Sequence, residues 1–272
     1  MSNSSASPRP EKQLRRRVKV VNEIIESLRQ DIVSRRLGDG ERLPNEKDLS
    51  ERFGVSQPTV REAIRALETL GLVEVFHGSG TFVRSQGDYA LATALQTLLQ
   101  LENVGILEVL DVRQVLGRHS IQQAALNATP EEVAALEAFL AQFEQADRIR
   151  HVDQMTALIV AFQRAVSAAA HSPVLNSLES FLLNLLNEVQ VKSLKGRTVR
   201  FWRARAMAFQ PHRVAIVAGI RSRDPAVALT AMNRYFDAQR ARFERDGSLR
   251  SLNLSSPKLI TIVSDMVRDS KA

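Results

Sequence analysis

Residues 43–83 read LPNEKDLSERFGVSQPTVREAIRALETLGLVEVFHGSGTFV, and this stretch decides the fold. Pro44 fixes an extended approach, and Asn45 is a good N-cap for a helix over residues 46–53. Gly54, Val55 and Ser56 then turn the chain. Ser56 can cap a helix running from Gln57 to about Leu70, with Pro58 in the first turn, where a missing N–H costs little. Ala63, Ile64, Leu67 and Leu70 give that helix an apolar face. Gly71 stops it, and residues 72–76 and 81–83 read as two strands joined by a turn at His77, Gly78, Ser79 and Gly80. Two helices joined by a short Gly-containing turn and followed by a hairpin form a winged helix-turn-helix.

Upstream, Val21, Ile24, Ile25, Leu28, Ile32 and Val33 fall at helical spacing, and Leu37-Gly38-Asp39-Gly40 is expected to end that helix because Gly accepts a positive φ. Residues 1–18, Ser- and Pro-rich and then Arg-rich, are expected to be a disordered basic arm that adds nonspecific phosphate attraction. The winged helix-turn-helix occupies residues 19–84, and residues 85–88 a polar linker. Residues 89–246 contain no convincing strand. Helices are expected there over 89–101, 104–126, 130–147, 152–170, 174–194, 197–209, 211–221 and 226–245. The clearest start is Thr129-Pro130-Glu131-Glu132, with Thr as N-cap and acids in the first turn. Residues 247–272 read as a linker and a short amphipathic helix from Leu259 to Val267. The fold class is mainly α: a winged helix-turn-helix followed by an all-helical bundle.

Bulk composition narrows the function. The 272 residues carry a net charge of +7, divided as +3 over the first 84 and +4 over the rest, so charge alone does not single out one domain. The chain has no cysteine. This excludes disulfides, thiolate metal sites and thiol catalysis, and suits a cytoplasmic protein. No stretch approaches 18 consecutive apolar residues, and the first residues lack the apolar run of a secretory signal, so no membrane partner is expected. There is no nucleophile–base set, no phosphate-binding glycine loop and no metal cluster by spacing. An enzyme is not expected.

The helix-turn-helix carries the chemistry. Small and polar residues at the start of its second helix can enter a major groove, where they meet base edges and phosphates. Ser56, Gln57, Thr59 and Arg61 hold those positions. Arg61 can pair with a guanine or clamp a phosphate, Gln57 can read an adenine, and Thr59 suits a phosphate or a thymine methyl. Lys47 can reach the backbone. At the wing tip, His77, Gly78 and Ser79 can enter the minor groove.

These residues also carry a resemblance. The pattern L-P-x-E-x-x-L-x-x-x-F-G-V-S-x-x-T-V-R-E-A-I, followed by H-G-x-G-T-F-V, is similar to the DNA-binding domain of the GntR family of bacterial transcription regulators. The family implies a homodimer on a palindromic double-stranded operator. Lys47 and Gln57 stand where Arg is common, which bears on operator sequence rather than on DNA binding. The helical part resembles the FadR-type ligand-binding domain called FCD, through D111-V-R-Q-V-L, T129-P-E-E, A215-I-V-A-G-I-R-S-R-D224 and A228-L-T-A-M232. It does not resemble the β-rich or aminotransferase-like domains of other branches.

Many members of that branch hold a divalent metal through an Asp and three His. The matching positions here read Ile159, Gln163, Arg213 and Tyr235, so the usual site is dismantled and no cofactor is expected; Asp111 and His212 are the residual metal candidates. Positive charge is the substitute. Arg113, which lacks the family's Glu four residues on because Gly117 stands there, joins Gln163, Arg213 and Tyr235 as an expected effector pocket. Lys192, Lys195, Arg197, Arg200, Arg203 and Arg205 add a basic stretch with no acid between Val191 and Gln210. The expectation is a regulator, a repressor in sign, whose operator binding is controlled by a small organic or sugar acid. The alternatives are a regulator with a closed, effector-independent helical domain and an architectural DNA-coating protein.

Overall fold

A computed structural model describes residues 10–76, 78–84, 87–256, 259 and 261. The chain divides into two compact units, residues 1–90 and 91–272.

In the first unit, α1 (Pro10–Val33), α2 (Glu46–Phe53) and α3 (Gln57–Thr69) pack around a buried core that includes Ile24, Leu28, Leu49, Val60 and Leu67. Each such side chain contributes about 1.5–3 kcal/mol relative to exposure. The antiparallel strands β1 (Val73–Phe76) and β2 (Gly80–Val83) pair Val73 with Val83 and Phe76 with Gly80. A third stretch joins the wing, which the sequence does not announce. The Gly40 N–H bonds to the Val83 carbonyl, and the Leu43 N–H to the Thr81 carbonyl at 2.8 Å. The approach to α2 therefore runs along the outer edge of β2.

Three expectations change here. The basic arm is helical from Pro10 onward, because Pro suits a first helical turn and Arg17 on α1 is tied to Glu62 on α3 at 2.8 Å. The positive φ that closes α1 lies on Arg35 (φ 58°), while Gly40 (φ 75°) takes the next bend. Ser56 is the N-cap of α3 by position, yet its side chain makes no capping bond; its hydroxyl meets the Thr59 hydroxyl at 2.9 Å. Asn45 does cap α2, accepting from the N–H groups of Lys47 and Asp48 at 2.9 Å.

In the second unit, apart from one isolated bridge between Gly105 and Asn253, the regular elements among the described residues are helices. It comprises the rest of α4 (Gly87–Leu101), which straddles the division, and then α5 (Ile106–Asn127), α6 (Pro130–Glu144), α7 (Val152–Ala168) and α8 (Pro173–Ser193). After these come α9 (Val199–Met207), α10 (Gln210–Arg221), α11 (Pro225–Arg245) and the short α12 (Gly247–Arg250). The expected linker thus begins a helix at Gly87. Thr129 caps α6 as expected, and with Glu132 it forms a reciprocal capping box. Helix α5 is central, packing on α7, α8, α10 and α11. Gly219 on α10 lets α11 approach closely: a Cβ there would stand 2.7 Å from the Ala228 Cα.

The segment after residue 246 is not a linker. Leu249 and Leu254 are fully buried, the Ile106 N–H bonds to the Leu252 carbonyl, and the Leu254 N–H bonds to the Val104 carbonyl. Burial of two leucines with paired backbone holds this stretch to the start of α5. Apart from Leu259 and Thr261, the expected C-terminal helix lies outside the described residues. No helix among the described residues is long and apolar enough to cross a membrane.

Candidate DNA-reading face and interior cavity

Helix α3 presents Gln57 and Arg61 to solvent, and α2 presents Lys47 beside it. The Arg61 guanidinium is held by the Glu46 carboxylate, with Nη2 donating at 2.6 Å and Nε at 3.0 Å. That bond keeps the Glu46 carboxyl below the usual carboxylate range, with Arg65 adding a smaller pull in the same direction. Half of the Arg61 side chain is exposed (51%), so the pair is exchangeable: a phosphate can take the place of Glu46. Lys47 is similarly placed, with Glu51 at 4.0 Å. The Ser56 and Thr59 hydroxyls are bonded to each other at the head of α3. With no side-chain cap, that helix end keeps its positive dipole turned outward, which favours an anion.

Gly78 (φ 80°) and Ser79 are exposed at the wing tip. His77, expected to contact DNA with them, lies outside the described residues. A groove of about 710 Å³ between α3 and the wing brings Arg61 together with Gly78, Gly80 and two arginines the sequence reading did not single out, Arg42 and Arg65. Lys47, Gln57 and Thr59 do not line it. Arg65 was legible in principle, since it follows Arg61 by one helical turn. Arg42 was not, because its place beside Gly80 depends on the extra edge pairing of the wing.

In the helical unit the four expected pocket residues come to one neighbourhood. Gln163 on α7 accepts from Arg113 Nη2 on α5 and donates to the Tyr235 hydroxyl on α11. Arg113 Nη1 also donates to Gln239 Oε1 at 3.1 Å, and the guanidinium lies 5.2 Å from the Phe236 ring centroid. Gly117 does not leave Arg113 without a carboxylate in its surroundings. Glu179 on α8 comes within 3.6 Å of where a Gly117 Cβ would stand, and Arg113 and Glu179 feel each other's charge. Burial pushes the Glu179 carboxyl above the usual range, while Arg113, Ser120 and Ser167 pull it back. Arg113 is thus committed internally rather than freed for a ligand.

Arg213 is committed as well. It is 2% exposed, stacks 3.8 Å from the Phe143 ring centroid, and donates through Nη1 to the Ala206 carbonyl at 2.8 Å. Asp111, a residual metal candidate, sits exposed on α5 and pairs with Arg240. His212 lies on α10 against the Phe209 ring, 5.9 Å between centroids. No group of three or more His, Asp or Glu side chains that could hold a metal occurs among the described residues.

A cavity of about 60 Å³ adjoins this network, with Gln163, Arg213 and Tyr235 in its wall, and a second of about 20 Å³ lies on the Arg113 and Glu179 side. The larger one is completed by Arg205 on α9 and Arg242 on α11, with Gln190 and Asn187 from α8. Arg205 belongs to the acid-free basic stretch, which divides in the fold. Lys195, Arg197 and Arg200 stay at the surface, Arg203 reaches the Ile149 carbonyl, and Arg205 turns inward to Gln190.

An exposed arginine on an uncapped second helix, a wing beside it and a helical unit with a cationic interior define a helix-turn-helix regulator with an appended sensing domain. The model of bacterial regulatory proteins of the gntR family matches residues 20–83, and that of the FCD domain matches residues 108–238. A helix-turn-helix-type transcriptional regulator of Mycobacterium tuberculosis is 30% identical over 206 residues, covering 75% of this chain and 81% of its own length. The transcriptional repressor NanR of Citrobacter rodentium is 27% identical over 85% of this chain and 88% of its length. The Uxu operon regulator of Haemophilus influenzae is 39% identical over 114 residues, 42% of this chain and 41% of that one. A Streptococcus agalactiae GntR structure superposes with a TM-score of 0.63 at 22% identity, covering 82% of this chain and 99% of that one; the fold is shared. This chain belongs to the GntR family, in the branch with an FCD domain, and is a DNA-binding transcriptional regulator rather than an enzyme.

Proposed function

We propose that the chain acts in the cytoplasm as a homodimer on a palindromic operator, represses transcription there, and is released or retained by a small anionic metabolite bound in the helical unit. The observation that carries the effector reading is the 60 Å³ cavity, whose wall holds guanidinium and amide groups and no carboxylate among the described residues. Repression follows the name of the NanR relatives. Exposed Val112 and Val115 on α5, 50% and 66% accessible, offer an apolar strip to a second copy.

Coupling between two sites is reciprocal, so an effector that weakens operator binding by some factor must itself bind more weakly, by that factor, to the operator complex. Isothermal titration of organic and sugar acids into free and operator-bound protein tests this. Unequal affinities in the two states are expected, and equal ones would refute effector control. A second reading, an effector-independent regulator, draws on the small cavity volume and on the Arg113–Gln163–Tyr235 chain that fills the space beside it. It predicts that no acid changes either the unfolding temperature or the operator affinity.

A further inference from the structure

The positions at which the family resemblance places metal ligands are Ile159, Gln163, Arg213 and Tyr235, and the fold gathers all four around the larger cavity. Their chemistry does not suit a divalent ion. Ile159 offers no lone pair, the Gln163 amide is occupied between Arg113 and Tyr235, and Arg113 and Arg213 place two buried positive charges at the spot. Like charge in a low-dielectric interior repels a cation strongly.

We propose that this chain has replaced the metal with a pair of guanidinium groups: a small carboxylate binds in the helical unit without metal, its carboxyl group received by Arg205 and Arg242. The proposal rests on the effector reading above and assigns its site and chemistry.

Four observations carry it. First, no carboxylate lines the cavity among the described residues; Arg213 is almost fully buried on Phe143, whereas Arg205 and Arg242 stay partly exposed and hydrogen-bond to neutral groups. Arg205 Nη2 donates to the Gln190 amide oxygen and Arg242 Nη1 to the Arg205 carbonyl at 3.3 Å. Second, each lies over an aromatic face, Arg205 on Trp202 at 5.8 Å and Arg242 on Phe209 at 5.2 Å, which orients planar forks without neutralising them.

Third, Arg205 feels the charge of its neighbour. Burial and then Arg242 lower Arg205 to about 10, against the opposing pull of Asp246 and Tyr235, and burial and Arg245 lower Arg242. An anion between them would relieve both the desolvation and the repulsion. Fourth, the space is small and two-sided. About 60 Å³ equals roughly two waters at ~30 Å³ each, enough for a carboxylate and one or two carbons. Ile159, Leu183 and Leu186 give it an apolar wall that a short carbon chain would cover and a fully hydrated phosphate would not.

The test uses the full chain after treatment with EDTA and dialysis, with acetate, glycolate, lactate and inorganic phosphate as probes. Isothermal titration and thermal unfolding are the readouts. At least one carboxylate should bind the metal-stripped protein, and R205Q and R242Q should each weaken it by about tenfold or more, with unchanged far-UV circular dichroism. Arg242 stands on a different helix from Arg205, so R242Q keeps the test open where R205Q fails to fold. Binding that EDTA abolishes and a divalent ion restores would overturn metal independence. Carboxylate binding that both variants retain would place the anion elsewhere and leave the effector reading standing. Phosphate binding as tightly as the carboxylates would refute the ligand class. No binding by any probe, with operator affinity unmoved by organic and sugar acids, would sink both the site and the effector reading.

Discussion

Arginines do opposite work in the two units. On the DNA-reading unit they are exposed and held by carboxylates: Arg61 by Glu46, Arg17 by Glu62, and Arg36 and Arg52 together by Asp31 at 2.6 and 2.9 Å. In the helical interior they are buried on aromatic rings and bonded to amides and carbonyls, with Glu179 the one buried carboxylate among the described residues of that unit. A surface ion pair is worth little and exchanges readily, so a DNA phosphate can replace the partner. A buried guanidinium cannot leave its partners without a large desolvation change, so it acts as packing or receives an anion that comes to it. Residue type alone does not separate these roles; burial does.

The largest test of this contrast is Arg213. Arg213→Ala should destabilise the helical unit by about 3 kcal/mol, through the packing lost against Phe143 and Phe162, whereas Arg213→Met, which fills the space without charge, should stay within about 1.5 kcal/mol. Denaturant unfolding followed by fluorescence of Trp202, the single tryptophan, reports this unit. Equal losses for both variants would mean that the charge itself is needed. Next, Arg61→Ala should weaken operator binding by about 1–3 kcal/mol while leaving the unfolding midpoint unchanged. Unaltered operator affinity in a mobility-shift titration would remove Arg61 from the contact set.

Gly117→Ala comes third. Its Cβ would stand 2.5 Å from the Phe236 ring and would push that ring off Arg113, costing about 1–2 kcal/mol. A neutral result would show the α5–α11 contact to be softer than its geometry suggests.

The smallest effect concerns pH, with opposite signs in the two units. Bonds from Arg52 and Arg36 hold the Asp31 carboxyl below its ordinary range, so its stabilisation is present above that range and lost as pH falls through the lowered value. Desolvation raises Glu179, so its contribution is full below the ordinary glutamate range and lost as pH rises through the raised value. Asp31→Asn should therefore flatten the acid side of the stability curve and Glu179→Gln the side above the ordinary glutamate range. Curves measured by circular dichroism that shift in the same direction would contradict the assignment.

Much of the first unit was legible because its signals are local. Asn45 before Glu46, Pro58 after Gln57 and Gly71 after Leu70 each act within one helical turn, and the elements fall within about a residue of where those residues place them. The N-cap expected at Thr129 succeeded for the same reason. Misjudged features depend on distant partners. Residues 10–18 continue a helix, with Arg17 on Glu62 45 positions away, and residues 247–256 bury two leucines against the start of α5.

From the sequence alone came the winged helix-turn-helix and the helical class of the second unit, which rest on residue type at fixed spacing, and the mismatch at the metal-ligand positions, which rests on the family resemblance. Only the tertiary structure decided which arginines are spoken for. Arg113 bonds to Gln163 and Gln239 and Arg213 stacks on Phe143 and bonds to a backbone carbonyl, while Arg205, one of six cations in a featureless basic stretch, turns into the cavity beside Arg242. Spacing records what a side chain is, but much of the desolvation and partnering that set its role comes from other helices, as Gln163 meets Arg113 and Phe143 meets Arg213.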